Sequence, residues 1–170
     1  GTDRLAVANQ TVGAEYVINI QADEPLVEAS QVQQLAELIQ TPGTDMATLA
    51  TPFRRESEFR DPSRVKVVLG AEGQALYFSR APIPYERDAQ GAWKQGECLL
   101  HLGMYAYRAD FLQAFRSLDP GFLESRERLE QLRALEAGYT IRVGITKTPT
   151  FGIDTPEDAE TFAQQLENPT

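Results

Sequence analysis

Apolar residues along the chain switch repeatedly between a two-residue and a 3.6-residue period, and each switch marks a change from strand to helix. The run Tyr16-Val17-Ile18-Asn19-Ile20 is β-branched and aromatic and ends at Gln21-Ala22-Asp23-Glu24-Pro25, which predicts a buried strand with polar residues at its C-terminal end. Ser30 then opens a helix with Val32, Leu35, Ala36, Leu38 and Ile39 at helical spacing, Ser30 and Gln33 forming its capping box and Pro42-Gly43 ending it. A strand over 46–53 follows, and strand, helix, strand favours a right-handed crossover onto a parallel sheet. Strands over 65–69 and 74–78 flank Gly70-Ala71-Glu72-Gly73, the signature of a hairpin; its glycines belong to the turn rather than to a phosphate site.

A strand over 99–108, a helix over 109–118 burying Phe111, Leu112, Phe115 and Leu118, a helix over 124–137 stopped by Gly138, and a strand over 139–146 complete the pattern. A last helix starts near Thr155, with Pro156 in its first turn and Asp158 three residues after the cap. The expected fold is α/β, with a mixed, mainly parallel sheet flanked by helices. No repeat, low-complexity tract or linker interrupts it, so 1–170 reads as a single domain.

Composition narrows the function. With 170 residues, 42% hydrophobic and 24% charged, the chain can bury a real core. A net charge of −9 speaks against a nucleic-acid surface, and no stretch is long and apolar enough to cross a bilayer or to serve as a signal peptide, which predicts a cytoplasmic protein with no membrane partner. Cys98 and His101 are each the only residue of their kind, which leaves neither a disulfide nor a zinc cluster to be built. A small anionic substrate would need a divalent cation or a few placed arginines.

Several residues are candidates for chemistry. Asp23 follows a buried strand, where ligand sites in open α/β sheets gather; it is either a metal ligand or a turn residue before proline. Asp154, in Phe151-Gly152-Ile153-Asp154-Thr155-Pro156, is either a second ligand or a helix cap. Arg80 precedes a proline-stiffened loop and is either a bidentate partner for carboxylate or phosphate or a surface residue. His101 and Tyr105 share one face of the 99–108 strand with Gly103 between them, lining a site or forming a satisfied polar patch. Glu130 and Gln131 stand beside the Leu129, Leu132 and Leu135 stripe, where most polar residues are simply solvated.

A set of strings decides between these readings: Gly1-Thr2-Asp3-Arg4, Ile20-Gln21-Ala22-Asp23-Glu24-Pro25, Val65-Lys66-Val67-Val68, Ala75-Leu76-Tyr77-Phe78-Ser79-Arg80, His101-Leu102-Gly103-Met104-Tyr105, Leu129-Glu130-Gln131-Leu132-Arg133 and Gly152-Ile153-Asp154-Thr155-Pro156-Glu157-Asp158. Together, and in this order, they resemble the motifs of the CMP-Kdo synthetases (3-deoxy-manno-octulosonate cytidylyltransferases) over nearly the whole chain. The resemblance implies a nucleotide-diphospho-sugar transferase-like, Rossmann-like fold. It implies an enzyme that joins Kdo to CTP, giving CMP-Kdo and pyrophosphate for lipopolysaccharide synthesis.

By the same resemblance Asp23 and Asp154 would hold Mg2+ and, with Arg80, act in catalysis. Arg80, His101, Tyr105, Glu130 and Gln131 would surround the sugar acid, Gly1, Thr2 and Arg4 would lie near the nucleotide, and the chain would form a homodimer through the hairpin-to-His101 segment. Family members begin with a strand and a glycine- and arginine-rich loop that cradles CTP, and the sequence starts after it, with no Walker or dinucleotide glycine pattern in its place. The expectation is an N-terminally incomplete unit with a sugar-acid half-site, part of the metal site and an exposed sheet edge. A noncatalytic dimerising or sugar-acid-binding fragment, or a cytidylyltransferase for another sugar acid, are the alternative functions.

Overall fold

The computed structural model describes residues 2–21 and 27–148. The expected helix near Thr155 lies outside the described residues. The first element, helix α1 (Thr2–Val12), was not anticipated. Its inward face is Thr2, Ala6 and Asn9, so burial follows the helical period while hydrophobicity does not. Asn9 closes the helix: its Nδ2 donates to Ala14 O at 2.9 Å, and its Oδ1 accepts from Ala14 N–H at 3.0 Å.

Strand β1 (Tyr16–Asn19) leads to helix α2 (Ala29–Ile39) and strand β2 (Met46–Pro52). The capping box sits two residues earlier than expected: Glu28 is the cap, and Gln31 rather than Gln33 is the returning side chain, its Oε1 accepting from Glu28 N–H at 3.0 Å. Gln31 is wholly buried, which fixes it in that role where exposed Gln33 pairs instead with Glu37. A short helix α3 (Glu56–Arg60) precedes the hairpin of β3 (Lys66–Leu69) and β4 (Ala75–Ser79). The turn forms as expected, with Gly70 N–H donating to Gln74 O at 2.8 Å and Gly73 at φ +78°, a conformation that favours glycine.

The long strand β5 (Leu99–Arg108) runs into helix α4 (Ala109–Phe115). The predicted helix over 124–137 is in fact two, α5 (Phe122–Glu127) and α6 (Gln131–Glu136), broken where Arg128 turns left-handed at φ 54°. Strand β6 (Ile141–Ile145) follows Gly138, which takes the positive φ expected of it.

The sheet runs β4-β3-β5-β2-β6, with β1 beside the C-terminal half of β5. Strands β1, β2 and β6 point the same way, as the crossover predicts, but β5 lies between β1 and β2 and is antiparallel to both. Among the described residues only β2 and β6 pair in parallel, so the sheet is mixed, and the expectation of a mainly parallel one is corrected by the placement of β5. Alternating positions serve two cores. Ala47, Leu49, Leu102, Met104 and Ala106 meet Leu35 and Ile39 of α2, while Met46, Ala50, Val67, Phe78, Tyr107 and Ile141 meet Phe111, Leu112 and Phe115 of α4 with Leu129 and Leu132. Gly144 lets α2 approach closely: a Cβ there would stand 2.6 Å from Leu38 Cδ1 and 2.9 Å from Leu49 Cδ2.

Lys66 is the most unusual core residue. Its side chain is fully buried, and Nζ donates to Asp61 O, Arg64 O and Arg80 O at 2.9, 2.7 and 2.6 Å. Burial lowers its pKa, opposed by nearby Asp61 and Glu127. Lys66→Met keeps the length of the side chain but strips three carbonyls of their donor, and is expected to cost about 2–4 kcal/mol. The loss should show as a lower urea midpoint with an unchanged m-value; a midpoint equal to the parent's would mean that those carbonyls find other donors.

Candidate functional site

One face of β5 carries a row of rings. From Phe78 on β4 the row passes to His101 (4.9 Å between centroids), Tyr105 (5.4 Å), Tyr107 (5.9 Å) and Phe111 (6.2 Å). Tyr105 and Tyr107 line a small cavity whose other walls are Thr2 of α1, Met46 of β2, Phe115 of α4, and Glu130 and Gln131 at the start of α6. Thr2 Oγ1 donates to Glu130 Oε2 at 2.7 Å, tying the first turn of α1 to the break between α5 and α6.

That break is held from β4. Glu127 accepts from Ser79 Oγ at 2.7 Å and from Arg80 N–H at 2.9 Å. The Arg80 guanidinium donates to Glu127 O, Pro62 O and Arg128 O at 2.7, 3.0 and 3.4 Å. The carbonyls of 127 and 128 thus face a cation instead of helical N–H groups. This is the physical reason the helix cannot run on, and it delivers Glu130 and Gln131 to the cavity.

The electrostatics suit neutral polar recognition. Burial raises the Tyr105 phenol well above its ordinary pKa, with Tyr107 and Glu130 adding to the effect. Burial raises Tyr107 likewise, with Glu130 adding and hydrogen bonds to Thr2 and Asn19 opposing. His101 is pushed down to about 3 by burial, so its ring is neutral. No Lys or Arg lines the cavity among the described residues. The set of two phenols, a carboxylate and an amide matches alcohol hydroxyls, which both donate and accept.

Of the residues singled out in the sequence, Thr2, Tyr105, Glu130 and Gln131 meet in this cavity, and His101 adjoins it through Tyr105. Thr2, expected near the nucleotide, is bonded to a residue expected at the sugar. Arg80 stands apart, its guanidinium turned to backbone carbonyls, and Arg4 is exposed on α1. Gly1, Asp23 and Asp154 lie outside the described residues. Among the described residues no group of three His, Cys, Asp or Glu side chains could hold a metal. Tyr107 was missed, although its position two residues beyond Tyr105 puts it on the same strand face.

Comparison with known proteins agrees with this architecture. The chain resembles a putative glucose-1-phosphate thymidylyltransferase from Bacillus anthracis, crystallised in complex with a sucrose, at a TM-score of 0.60 and 12% identity, covering 100% of this chain and 62% of that one. The likeness is one of fold: both are α/β domains with a mixed sheet flanked by helices. The model of the cytidylyltransferase family matches residues 1–142. The 3-deoxy-manno-octulosonate cytidylyltransferase of Syntrophobacter fumaroxidans is 52% identical over 98% of this chain and 67% of its own length, and that of Xanthomonas campestris pv. campestris 48% over 98% and 70%. The structure of a CMP:2-keto-3-deoxy-manno-octonic acid synthetase complexed with CTP superposes at a TM-score of 0.90 with 38% identity, over 99% of this chain and 68% of that one. The chain belongs to the 3-deoxy-manno-octulosonate cytidylyltransferase, or CMP-Kdo synthetase, family.

His101 also sets a pH dependence. The unfolded ring titrates near 6.5 and the folded one at about 3, so between these values the unfolded chain binds a proton that the folded chain does not. The stability that goes with the neutral ring is complete above the unfolded value and is lost as pH falls. Between pH 7.5 and 5.0 the loss should be about 2 kcal/mol. Denaturant titrations at the two pH values check this: His101→Gln should remove the drop, and an equal drop in both proteins would place its cause elsewhere.

Proposed function

We propose that the protein transfers CMP from CTP to Kdo, releasing pyrophosphate and giving CMP-Kdo for lipopolysaccharide assembly in the cytoplasm. The observation that carries this reading is the superposition, over 99% of the chain, on a CMP-Kdo synthetase complexed with CTP. The chemistry of the cavity lining is in keeping with it. Tyr105, Glu130 and Gln131, assigned to the sugar by motif, stand together and offer donors and acceptors of the kind a polyol requires.

In this reaction the anomeric oxygen of Kdo bonds to the α-phosphorus of CTP, the bond to the β-phosphate oxygen breaks, and the hydroxyl proton passes to solvent. Positioning supplies much of the acceleration, because two bound reactants held in line react as one molecule. Tyr105, Gln131 and Glu130 orient the sugar hydroxyls, and Arg80 keeps Glu130 and Gln131 in place through the backbone at 127 and 128. The sugar's carboxylate and the phosphates require cations that the cavity lining does not supply.

Mg2+, held by Asp23 and Asp154, would offset the charge developing on the phosphates. Two carboxylates are a fitting hard-oxygen donor set for it. Described residues nearby in the chain are hydrogen-bonded to one another. Glu28, five positions after Asp23, accepts from Thr148 Oγ1 at 3.3 Å, and Thr148 lies six positions before Asp154. Gln31 Nε2 also donates to Thr148 O at 3.0 Å.

Pyrophosphate release by the full-length protein should require CTP, Kdo and Mg2+ together. Asp23→Asn and Asp154→Asn should each lower turnover at least about tenfold, or 1.4 kcal/mol in barrier. Parent rates in both variants would remove these residues from the metal site, and faster turnover with a sialic acid than with Kdo would reassign the substrate.

A homodimer is part of the same proposal. Strand β4 is an end strand of the sheet and presents Leu76, 59% exposed, with Tyr85 beyond it at 67%. Exposed apolar side chains on an end strand are a natural seat for a second copy. Light scattering of the full-length protein should give twice the monomer mass, and the monomer mass alone would contradict the dimer.

A further inference from the structure

Thr48 sits in the middle of β2, fully buried, with its hydroxyl among three partners. Met104 O is 2.7 Å from Oγ1, Leu102 O 3.1 Å and His101 Nε2 3.0 Å. The site exists because the ladder slips here: Thr48 pairs with Tyr105 and the next residue, Leu49, with Leu102, so Gly103 and Met104 have no opposite number on β2. The slip turns strand carbonyls toward the Thr48 side chain. Because it inserts two residues, it leaves His101 and Tyr105 on one face, with ring centroids 5.4 Å apart.

A threonine hydroxyl has one proton and two acceptor lone pairs. Met104 O and Leu102 O can only accept, and an oxygen 2.7 Å from another oxygen with no proton between them would be repulsive. The Thr48 proton therefore belongs to these carbonyls. Toward His101 the hydroxyl can only accept, which requires the hydrogen to be on Nε2.

In a neutral ring the other nitrogen then carries a lone pair. Nδ1 has no hydrogen-bond partner among the described residues. The ring lies beside the Tyr105 phenol that lines the cavity, 5.4 Å between centroids.

We infer that Thr48 is a positioning residue, which fixes His101 as the Nε2–H tautomer so that Nδ1 offers its lone pair to a hydroxyl of the sugar acid. The substrate half of this statement rests on the Kdo reading; the tautomer rests on geometry alone. Burial of the ring, which disfavours the imidazolium, supports it. The arrangement selects a hydroxylated ligand group over an anionic one, because a lone pair attracts an O–H and repels a carboxylate.

The test is the ring 15N spectrum of the full-length protein at neutral pH, with the His101 signals identified by their loss in His101→Gln. The parent and Thr48→Ser, which keeps the hydroxyl, should show protonated Nε2 and bare Nδ1. Thr48→Val should lose this single tautomer and raise KM for Kdo about three- to tenfold, the worth of one neutral hydrogen bond, with KM for CTP unchanged. A parent ring protonated at Nδ1 or at both nitrogens would overturn the inference, as would a Thr48→Val protein with the parent tautomer and KM. If Thr48→Val does not fold, the parent and Thr48→Ser spectra still decide the tautomer. The stated tautomer in a parent with no Kdo turnover would sink the Kdo reading and support the Thr48 assignment.

Discussion

Strand β5 is hydrogen-bonded along both edges, to β2 on one side and to β3 and β1 on the other, and the remaining architecture follows from that. A strand paired on both sides has no freedom of register, because sliding by one residue would move every side chain to the opposite core. Leu102, Met104 and Ala106 are thereby committed to α2, and His101, Tyr105 and Tyr107 to the cavity face. The slip opposite Thr48 is the single irregularity in the β2 ladder, and it preserves this partition because two residues, an even number, are inserted. Its backbone is met by side chains: Thr48 reaches the carbonyls of 102 and 104, and Gln21 Nε2 reaches Gly103 O at 3.2 Å.

Charged groups near the site act mainly on backbone. Lys66 gathers the carbonyls of 61, 64 and 80, and Arg80 those of 62, 127 and 128, so the end of β4 and the turn between α5 and α6 are one hydrogen-bonded unit. Behind it Arg133 pairs bidentately with Glu124, both bonds 2.6 Å, and covers the Phe115 ring at 4.7 Å. A cation that saturates carbonyls is satisfied without a partner charge, and its removal leaves several acceptors bare at once. The cavity wall formed by Glu130 and Gln131 is therefore rigid for reasons located two strands away.

Elements whose burial and hydrophobicity coincide were legible in the sequence. The strand over 99–108 was read to the residue, and the hairpin from its two glycines, because alternation and turn chemistry are local. Helix α1 was not legible, since the face it buries is Thr2, Ala6 and Asn9, and its anchor is a hydrogen bond to Glu130, 128 residues away. The break at Arg128 was invisible for the same reason: the stripe of Leu129, Leu132 and Leu135 reads as one helix, and only Arg80, brought close by the hairpin, interrupts it. For the site, motifs named Tyr105, Glu130 and Gln131; strand alternation from Tyr105 could have added Tyr107, whereas distance in the chain hid Thr48. Thr48 looks like any β-branched strand residue until the slip in β5 gives its hydroxyl three partners.

Strand direction separates two kinds of recognition. Strands β1, β2 and β6 share a direction, so the segments leaving β1 and β6 emerge at the same end of the sheet. Gln21, just past β1, and Thr148, just past β6, are both held there by side-chain hydrogen bonds, to Gly103 and to the start of α2. In open α/β sheets ligand sites gather beyond the carboxyl ends of the strands. Hydroxyl recognition is better placed on the strand face, where Tyr105, Tyr107 and His101 are fixed by the sheet and burial keeps them neutral. In a chain of net charge −9, the wall formed by Tyr105, Tyr107, Glu130 and Gln131 carries no Lys or Arg among the described residues, so its hydrogen-bonding groups suit a hydroxyl better than an anion.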